Sequence, residues 1–67
     1  MLEEKSMMIV HYSEMLPING TIVKNEIYEL WEDQFKMLKQ LTTKQAKSIM
    51  NTMHKVYDKD DVAIYRQ

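Results

Sequence analysis

The chain contains no cysteine, one glycine and one proline among its 67 residues. Without cysteine, neither a disulfide framework nor a thiolate metal site can form, and this absence fits a reducing compartment. One glycine is too few for the glycine-rich loops that bind phosphate in P-loop and dinucleotide-binding proteins. These classes of protein are therefore excluded, and we expect no cofactor.

Long hydrophobic runs are also missing. The apolar stretch "MMIVHY" at residues 7–12 is far shorter than the roughly 20 residues that a membrane-spanning helix needs. It follows Glu3 and Glu4, whereas a secretory signal begins with basic residues. We expect no targeting segment, no membrane partner and a cytoplasmic location.

Catalytic and metal-binding patterns are equally sparse. His11 and His54 fall in different predicted elements, and a catalytic carboxylate pair needs a walled cleft that so short a chain hardly builds. The segment "DKDD" (Asp58 to Asp61) begins like a calcium loop, but Ala63 stands at its sixth position, where glycine is needed. The sequence predicts neither an enzyme nor a metal site.

The residues that are present indicate a small folded domain. Hydrophobic residues make up 45% of the chain, too many for a disordered protein. Residues 1–67 amount to one domain, and a chain of this size buries only about 60% of its unfolded surface. Its stability is therefore marginal, and a partner that covers more apolar surface would raise it.

Charge is distributed unevenly along the chain. The first 33 residues carry seven acidic and two basic side chains, whereas the remaining 34 carry seven basic and three acidic ones. Such a dipolar chain suits pairing of opposite charges within one molecule or between two copies.

The clearest break lies at "PING" (Pro17 to Gly20), because proline disfavours a helix before it and Asn-Gly favours a turn. We predict a helix over about residues 2–16 and a turn over 17–20. The alternative is a hairpin in which "MMIVHY" pairs with "TIV" across the Asn-Gly turn. Pro17 would then lie inside the first strand, where proline is tolerated only at edges or bulges.

The spacing of apolar residues predicts a long central helix over about residues 21–41. Positions three and four apart are apolar along this segment, and Glu32–Lys36 has the i, i+4 spacing of a helical ion pair. The stripe consists of Val23, Ile27, Leu30, Trp31, Leu38 and Leu41, widened by Tyr28, Phe35 and Met37. A face this broad requires two packing neighbours.

A third helix is predicted over about residues 43–57. Thr42 and Gln45 match the capping-box pattern, in which the threonine hydroxyl accepts from the Gln45 amide and the glutamine side chain reaches back. Residues 58–67 form a tail that is either a short helix or an extended strand. The fold class expected is therefore all-α: a dimeric three-helix domain with a long central helix and a short C-terminal tail.

The function that these features favour is a small non-catalytic regulator of the inhibitor, antirepressor or adaptor type, which acts by binding another protein and by self-association. The composition, rich in Lys, Ile, Met and Glu, resembles that of AT-rich bacterial or phage genomes. Aromatic residues dominate binding hot spots, and methionines line adaptable binding surfaces. The candidate interface residues are Met7, Met8, Tyr28, Trp31, Phe35, Met50 and Met53.

A DNA-binding regulator is the alternative function. Five lysines and no acidic residue lie between residues 34 and 57. Helical spacing places four polar side chains on one face of the predicted third helix, from which they can contact phosphates and base edges. They are Lys44, Lys47, Asn51 and Lys55. No arginine lies in this segment, although arginine is the commonest reader of bases.

Overall fold

A computed structural model of the chain describes residues 6–67, and within this range it contains five antiparallel strands and one helix. The elements are β1 (Met7–Ile18), β2 (Thr21–Glu32), β3 (Lys36–Leu41), α1 (Thr43–Met50), β4 (His54–Lys59) and β5 (Val62–Arg66). They form one sheet in the order β3-β2-β1-β5-β4. The all-α prediction is therefore wrong, and the chain is a β-rich domain with one short helix.

The N-terminal segment forms a hairpin rather than the helix predicted over residues 2–16, of which residues 1–5 lie outside the described range. Asn19 and Gly20 have φ angles of 51° and 77°, as a two-residue type I′ turn requires. This turn is shorter than the predicted turn at 17–20. Ile18 pairs with Thr21 across it, so Pro17 occupies the next, non-hydrogen-bonded position. Because the backbone N–H at this position makes no hydrogen bond to β2, proline is tolerated here within the first strand of the hairpin.

The central helix predicted over residues 21–41 is instead two strands. β2 has apolar side chains on both faces of the sheet, with Ile27 and Trp31 on one face and Tyr28 and Leu30 on the other. Apolar and polar residues therefore do not alternate strictly along β2, and the apolar positions resemble the broad apolar stripe of a helix. β-Branched and aromatic residues, which favour strands, decide the outcome.

The Glu32–Lys36 pair shows how the spacing misled. These two residues are cross-strand partners that flank the turn formed by residues 33–35. Asp33 begins that turn with a φ of 59°, a left-handed conformation that Asp tolerates better than most residues. An i, i+4 spacing of opposite charges therefore supports a tight hairpin as well as a helix.

The predicted capping box is confirmed, but the helix it begins is short. The Gln45 amide donates to the Thr42 hydroxyl at 3.1 Å, and the Thr42 amide donates to Gln45 Oε1 at 3.1 Å. The helix predicted over residues 43–57 ends at Met50, because the Thr52 and Met53 amides fold back onto the carbonyls of the last turn. The chain then enters β4.

The predicted tail, residues 58–67, completes a second hairpin. β4 and β5 are joined by Asp60 and Asp61, whose φ angles of 56° and 64° again give a type I′ turn. β5 pairs with the first half of β1, from Met8 to Tyr12, which closes the sheet around β1. The extended alternative for this segment is therefore the observed one.

The core lies between α1 and one face of the sheet. Ile9 of β1 and Ala46 of α1 are fully buried, at 0% exposure, and belong to the same cluster. The buried cluster consists of Ile9, Tyr28, Leu41, Ala46 and Met53. Met7, Leu30, Ile49, Met50 and Tyr65 pack around it. One helix of eight residues is about 12 Å long, so it covers only part of one face of the sheet.

Replacing Thr42 by alanine should destabilise the domain by about 1 kcal/mol, because both hydrogen bonds of the cap depend on this residue. Thr43→Ala is the matched control, since Thr43 is an exposed neighbour in the first helical turn. Urea unfolding measures both variants. Equal midpoints for the two would contradict a stabilising role for the cap.

Replacing Asp61 by glycine should stabilise the domain by roughly 0.5–1 kcal/mol, because glycine adopts a positive φ without the steric cost that Asp61 bears. Asp58→Gly, within β4, should instead be destabilising, since glycine weakens a strand interior. Thermal unfolding of the two variants provides the comparison. A melting temperature lowered by Asp61→Gly would show that the aspartate side chain stabilises this turn.

Candidate interaction surface

The face of the sheet opposite α1 has no helix or strand lying over it in the described part of the chain. Alternate residues of a strand point to opposite faces, so the buried position of Ile9 against α1 places Met8 and Val10 on the other side. We call this side the open face. Its side chains are Met8, Val10, Tyr12, Ile27, Glu29, Trp31, Val62 and Ile64.

The open face is well packed laterally although no helix or strand among residues 6–67 overlies it. Met8 is 8% exposed and pairs with Trp31 on one side and Arg66 on the other. Ile27, paired with Tyr12, is 7% exposed. The other six residues of the open face are half-buried, although no helix or strand of residues 6–67 lies over them.

Glu29 holds two aromatic side chains in place on the open face. The Tyr12 hydroxyl donates to Glu29 Oε2 at 2.7 Å, and Trp31 Nε1 donates to Glu29 Oε1 at 3.0 Å. The hydrogen bond to this carboxylate, followed by burial, raises the pKa of Tyr12 above its usual value. The carboxylate therefore holds the polar ends of both half-buried rings through hydrogen bonds.

The β1–β2 hairpin extends well past the rest of the sheet. β5 pairs with β1 only up to Tyr12, and β3 pairs with β2 only from Tyr28 onward. Residues 13–26 therefore form a two-stranded projection, which we call the arm, and the molecule measures 55 × 22 × 21 Å. Four apolar side chains of the arm are strongly exposed. They are Met15 (63%), Ile18 (48%), Ile22 (66%) and Val23 (41%).

The structure divides the interface residues predicted from sequence. Trp31 and Met8 are paired neighbours on the open face. Tyr28 and Met53 belong to the buried core, and Met7 and Met50 pack around it. Phe35 lies in the turn between β2 and β3, where it is 79% exposed.

Sequence reasoning missed six residues of the open face. They are Val10, Tyr12, Ile27, Glu29, Val62 and Ile64. The signal for the four that lie in β1 and β2 was that every second residue of a strand points to the same side. A helical interpretation of these segments scattered the same side chains around a cylinder.

The predicted nucleic-acid residues are also separated. Lys44 and Lys47 are exposed on α1, and Asn51 is the C-cap of that helix. Lys55 lies in β4, where its Nζ is 3.3 Å from Asp58 Oδ2 and 5.7 Å from the centre of the Tyr65 ring. The hydrogen bond that Lys55 donates to Asp58 raises the pKa of Lys55. The four residues therefore do not share one helical face.

A polar cleft of about 260 Å³ is lined by residues of β1, β2, β4 and β5, among them His11, Ser13 and Glu26. His11 stacks on Tyr28, with ring centres 4.2 Å apart, and its Nε2 is 2.5 Å from Glu26 Oε2. Ser13 donates to the same oxygen at 3.0 Å. These bonds from His11 and Ser13 lower the pKa of Glu26.

The arrangement in this cleft does not activate a nucleophile. A reactive serine needs a base that removes its proton, and the hydroxyl of Ser13 is directed to a carboxylate whose pKa is already lowered. The opposing lysines and carboxylates in the lining are Lys24, Lys55, Glu26 and Asp58, and they are engaged with one another. Among residues 6–67, no group of three or more potential metal ligands comes together.

Comparisons with protein-family models, curated proteins and solved structures find no match to this chain. Within the described range, no helix combines the length and apolar character needed to cross a membrane.

The Glu29 interaction predicts a specific pH dependence. A raised pKa in the folded state means that Tyr12 contributes stability that is lost as the pH rises above about 10, the ordinary pKa of tyrosine. Glu29→Gln removes the carboxylate charge and should lower the pKa of Tyr12, so stability should fall less steeply in this alkaline range. Urea unfolding at several pH values measures the slope.

Tyr12→Phe is the control for this titration. It should flatten the same alkaline slope, and combining it with Glu29→Gln should add nothing, because both changes remove one coupled interaction. Equal slopes for the wild-type protein and Glu29→Gln would exclude Glu29 as the cause.

Proposed function

We propose that this protein is a non-catalytic binding module that acts by docking another protein on its open face. The observation that carries the proposal is a mostly apolar sheet face over which no helix or strand of residues 6–67 lies, continued on the arm by the exposed side chains of Ile18 and Val23. An amphipathic sheet normally buries its apolar face against a second layer. A partner protein supplies that layer in this proposal.

The composition of the open face supports a protein ligand. Trp31 and Tyr12 lie close together on Glu29, and aromatic residues held in fixed orientations lose little entropy on binding. Glu29 is the charged group between these two rings, and further charged side chains lie at the margins: Arg66 beside Met8, and Lys59 beside Val62. Aromatic residues at the centre and charged residues at the rim are usual in protein interfaces.

We propose that the protein regulates its partner by binding alone, as an inhibitor or adaptor does. The open face supports binding, and the polar cleft holds no activated nucleophile. A cytoplasmic location, expected from the cysteine-free sequence, stays part of the proposal. Nucleic-acid binding has less support, because Lys55 is paired with Asp58 instead of standing beside Lys44 and Lys47.

A capture experiment with paired variants tests the function. Tagged wild-type protein is incubated with cytosol of its source cells, with and without nuclease, and the bound proteins are compared with those held by Ile64→Lys. This change places a charge in the centre of the open face and should abolish specific capture, because the lysine would be desolvated in the complex.

Val56→Lys is the matched control. Val56 is the extra residue of a bulge in β4 and is 56% exposed at the edge of the sheet. It should capture as the wild-type protein does. Equal capture by both lysine variants would contradict docking on the open face. Loss of capture after nuclease treatment, or in Lys44→Gln/Lys47→Gln, would favour the nucleic-acid alternative.

A further inference from the structure

The two long edges of the arm differ in their capacity to pair with a further strand. Ile18 and Thr21 are the hydrogen-bonded pair beside the two-residue turn, so the residues of β2 that direct their backbone groups away from β1 begin one position further on. In the arm these outward residues are Ile22, Lys24 and Glu26. Each of them has both an N–H and a carbonyl to offer.

No strand of residues 6–67 pairs with this outer edge of β2 in the arm, which we call the β2 edge. β3 ends at Leu41, opposite Tyr28, so the β2 edge extends over residues 21–27. The outer edge of β1 is different, because Pro17 faces outward there and has no N–H to donate. A complete row of outward donors and acceptors is therefore a property of the β2 edge, and such a row is a template for a further strand.

The arm also exposes apolar side chains that an added strand would cover in part. Ile22 is 66% exposed and Val23 is 41% exposed, and they point to opposite sides of the ribbon. A two-stranded ribbon is marginally stable in water, whereas three or more strands with an apolar face are stable. The arm therefore gains stability from a strand on the β2 edge.

The β2 edge is complementary to the same edge of a second copy. Antiparallel pairing about a two-fold axis perpendicular to the sheet, centred on Val23, places Val23 opposite its counterpart and Ile22 opposite Lys24. Thr21 then faces Asn25. The two Ile22–Lys24 pairs each exchange two backbone hydrogen bonds, so this ladder has about four.

The end of β3 limits the register to this one. With Val23 at the centre, Gly20 of the second copy lies opposite Glu26, just short of the position that β3 occupies. The next longer register would place Gly20 opposite Tyr28, which already pairs with Leu41. It would also set two Lys24 side chains directly opposite each other, which is destabilising.

Charge is compatible with the register centred on Val23. The pairs on the open-face side, Val23–Val23 and Thr21–Asn25, are uncharged. On the helix side the two Lys24 residues are diagonal neighbours, with Cα atoms about 8 Å apart. Each Lys24 side chain is 56% exposed, and its Nζ is 3.6 Å from Glu26 Oε1 of its own copy. Solvent and this carboxylate therefore screen the two ammonium groups from each other.

We infer that two copies of this chain pair through their β2 edges, so that the two arms form one antiparallel ribbon in the order β1-β2-β2-β1. Both outer edges of this ribbon are then β1 strands that carry Pro17, so pairing ends with two copies. The open faces of both copies point to the same side. The inference goes beyond the proposed function, because it uses the edge of the arm and needs no protein on the open face.

Proline substitutions at two cross-strand partners test the pairing. Met15 and Lys24 lie opposite each other at a position without ladder hydrogen bonds, so proline at either one removes only an outward N–H. Lys24→Pro should raise the dissociation constant of the dimer at least tenfold, because half of the hydrogen bonds between the copies are lost. Met15→Pro should leave it unchanged, and so should Lys24→Gln, which keeps the N–H.

Analytical ultracentrifugation measures these constants, since it distinguishes the 8.1 kDa monomer from the dimer. The contact spans only residues 21–25 of each copy, so we expect a weak dimer with a dissociation constant of roughly 100 μM. Circular dichroism checks that each proline variant is folded.

Disulfide cross-linking tests the register and does not depend on the proline variants. The chain has no cysteine, so a single introduced cysteine can bond only to its counterpart in another copy. Val23→Cys places two sulfur atoms at a non-hydrogen-bonded pair with Cα atoms about 4.5 Å apart, which suits a disulfide. In Asn25→Cys, the matched control, the Cα atoms are about 14 Å apart, beyond the reach of a disulfide. Mild oxidation should therefore cross-link the first variant and leave the second monomeric on a denaturing gel.

A wild-type protein that is still monomeric at about 1 mM would overturn the inference. Equal dissociation constants for folded Lys24→Pro and Met15→Pro, or equal cross-linking of the two cysteine variants, would overturn it as well. The proposed function is judged separately, by whether Ile64→Lys loses capture while Val56→Lys retains it. Equal capture by those two variants would refute the proposed function and leave the pairing of the arms intact.

Discussion

The twelve-pair ladder between β1 and β2 is the constraint on which the rest of the structure depends. It fixes which side chains point toward α1 and which point to the open face, because a shift of one residue would exchange the two faces. The Asn19–Gly20 turn sets this register through its geometry. β3 and β5 then add to opposite sides of the hairpin, and β4 completes the sheet. The β1–β2 register therefore determines which residues form the core, which side chains surround Glu29, and how far the arm extends.

One face of the sheet has no helix or strand lying over it within residues 6–67. The helix of eight residues packs on the other face, over a buried cluster of five residues. Small domains bury a limited share of their apolar surface by themselves. On the face opposite the helix, the hydrogen bonds to Glu29 hold Tyr12 and Trp31 in defined positions.

Local signals in the sequence were interpreted correctly where a residue acts on its immediate neighbours. The Thr42–Gln45 cap was predicted and observed, because its bonds span three residues. The fold class was predicted wrongly. A strand that is apolar on both faces and an amphipathic helix can share the same apolar positions, so the apolar pattern did not distinguish them. In residues 27–31 the two interpretations share most of their apolar positions, and only long-range pairing separates them.

The candidate site suffered from the same ambiguity. Trp31 and Met8 were identified from residue type and remain on the open face, whereas Tyr28 and Met53 turned inward with the register of the sheet. Val10 and Ile64 carry no signal of their own as aliphatic residues. They become part of a surface only when strands 50 residues apart in sequence pair side by side, as Val10 and Ile64 do in β1 and β5.

The irregular positions along the strand edges limit how far copies of this chain can assemble. Pro17 offers no N–H on the outer side of the arm, and the bulges at Leu38 and Val56 interrupt the two outermost strands. Strand addition at these edges, which would propagate into fibres, is thereby disfavoured. Association through an edge has no natural end, because each added strand presents a new edge. The proline and the two bulges therefore act against open-ended growth at the edges of this sheet.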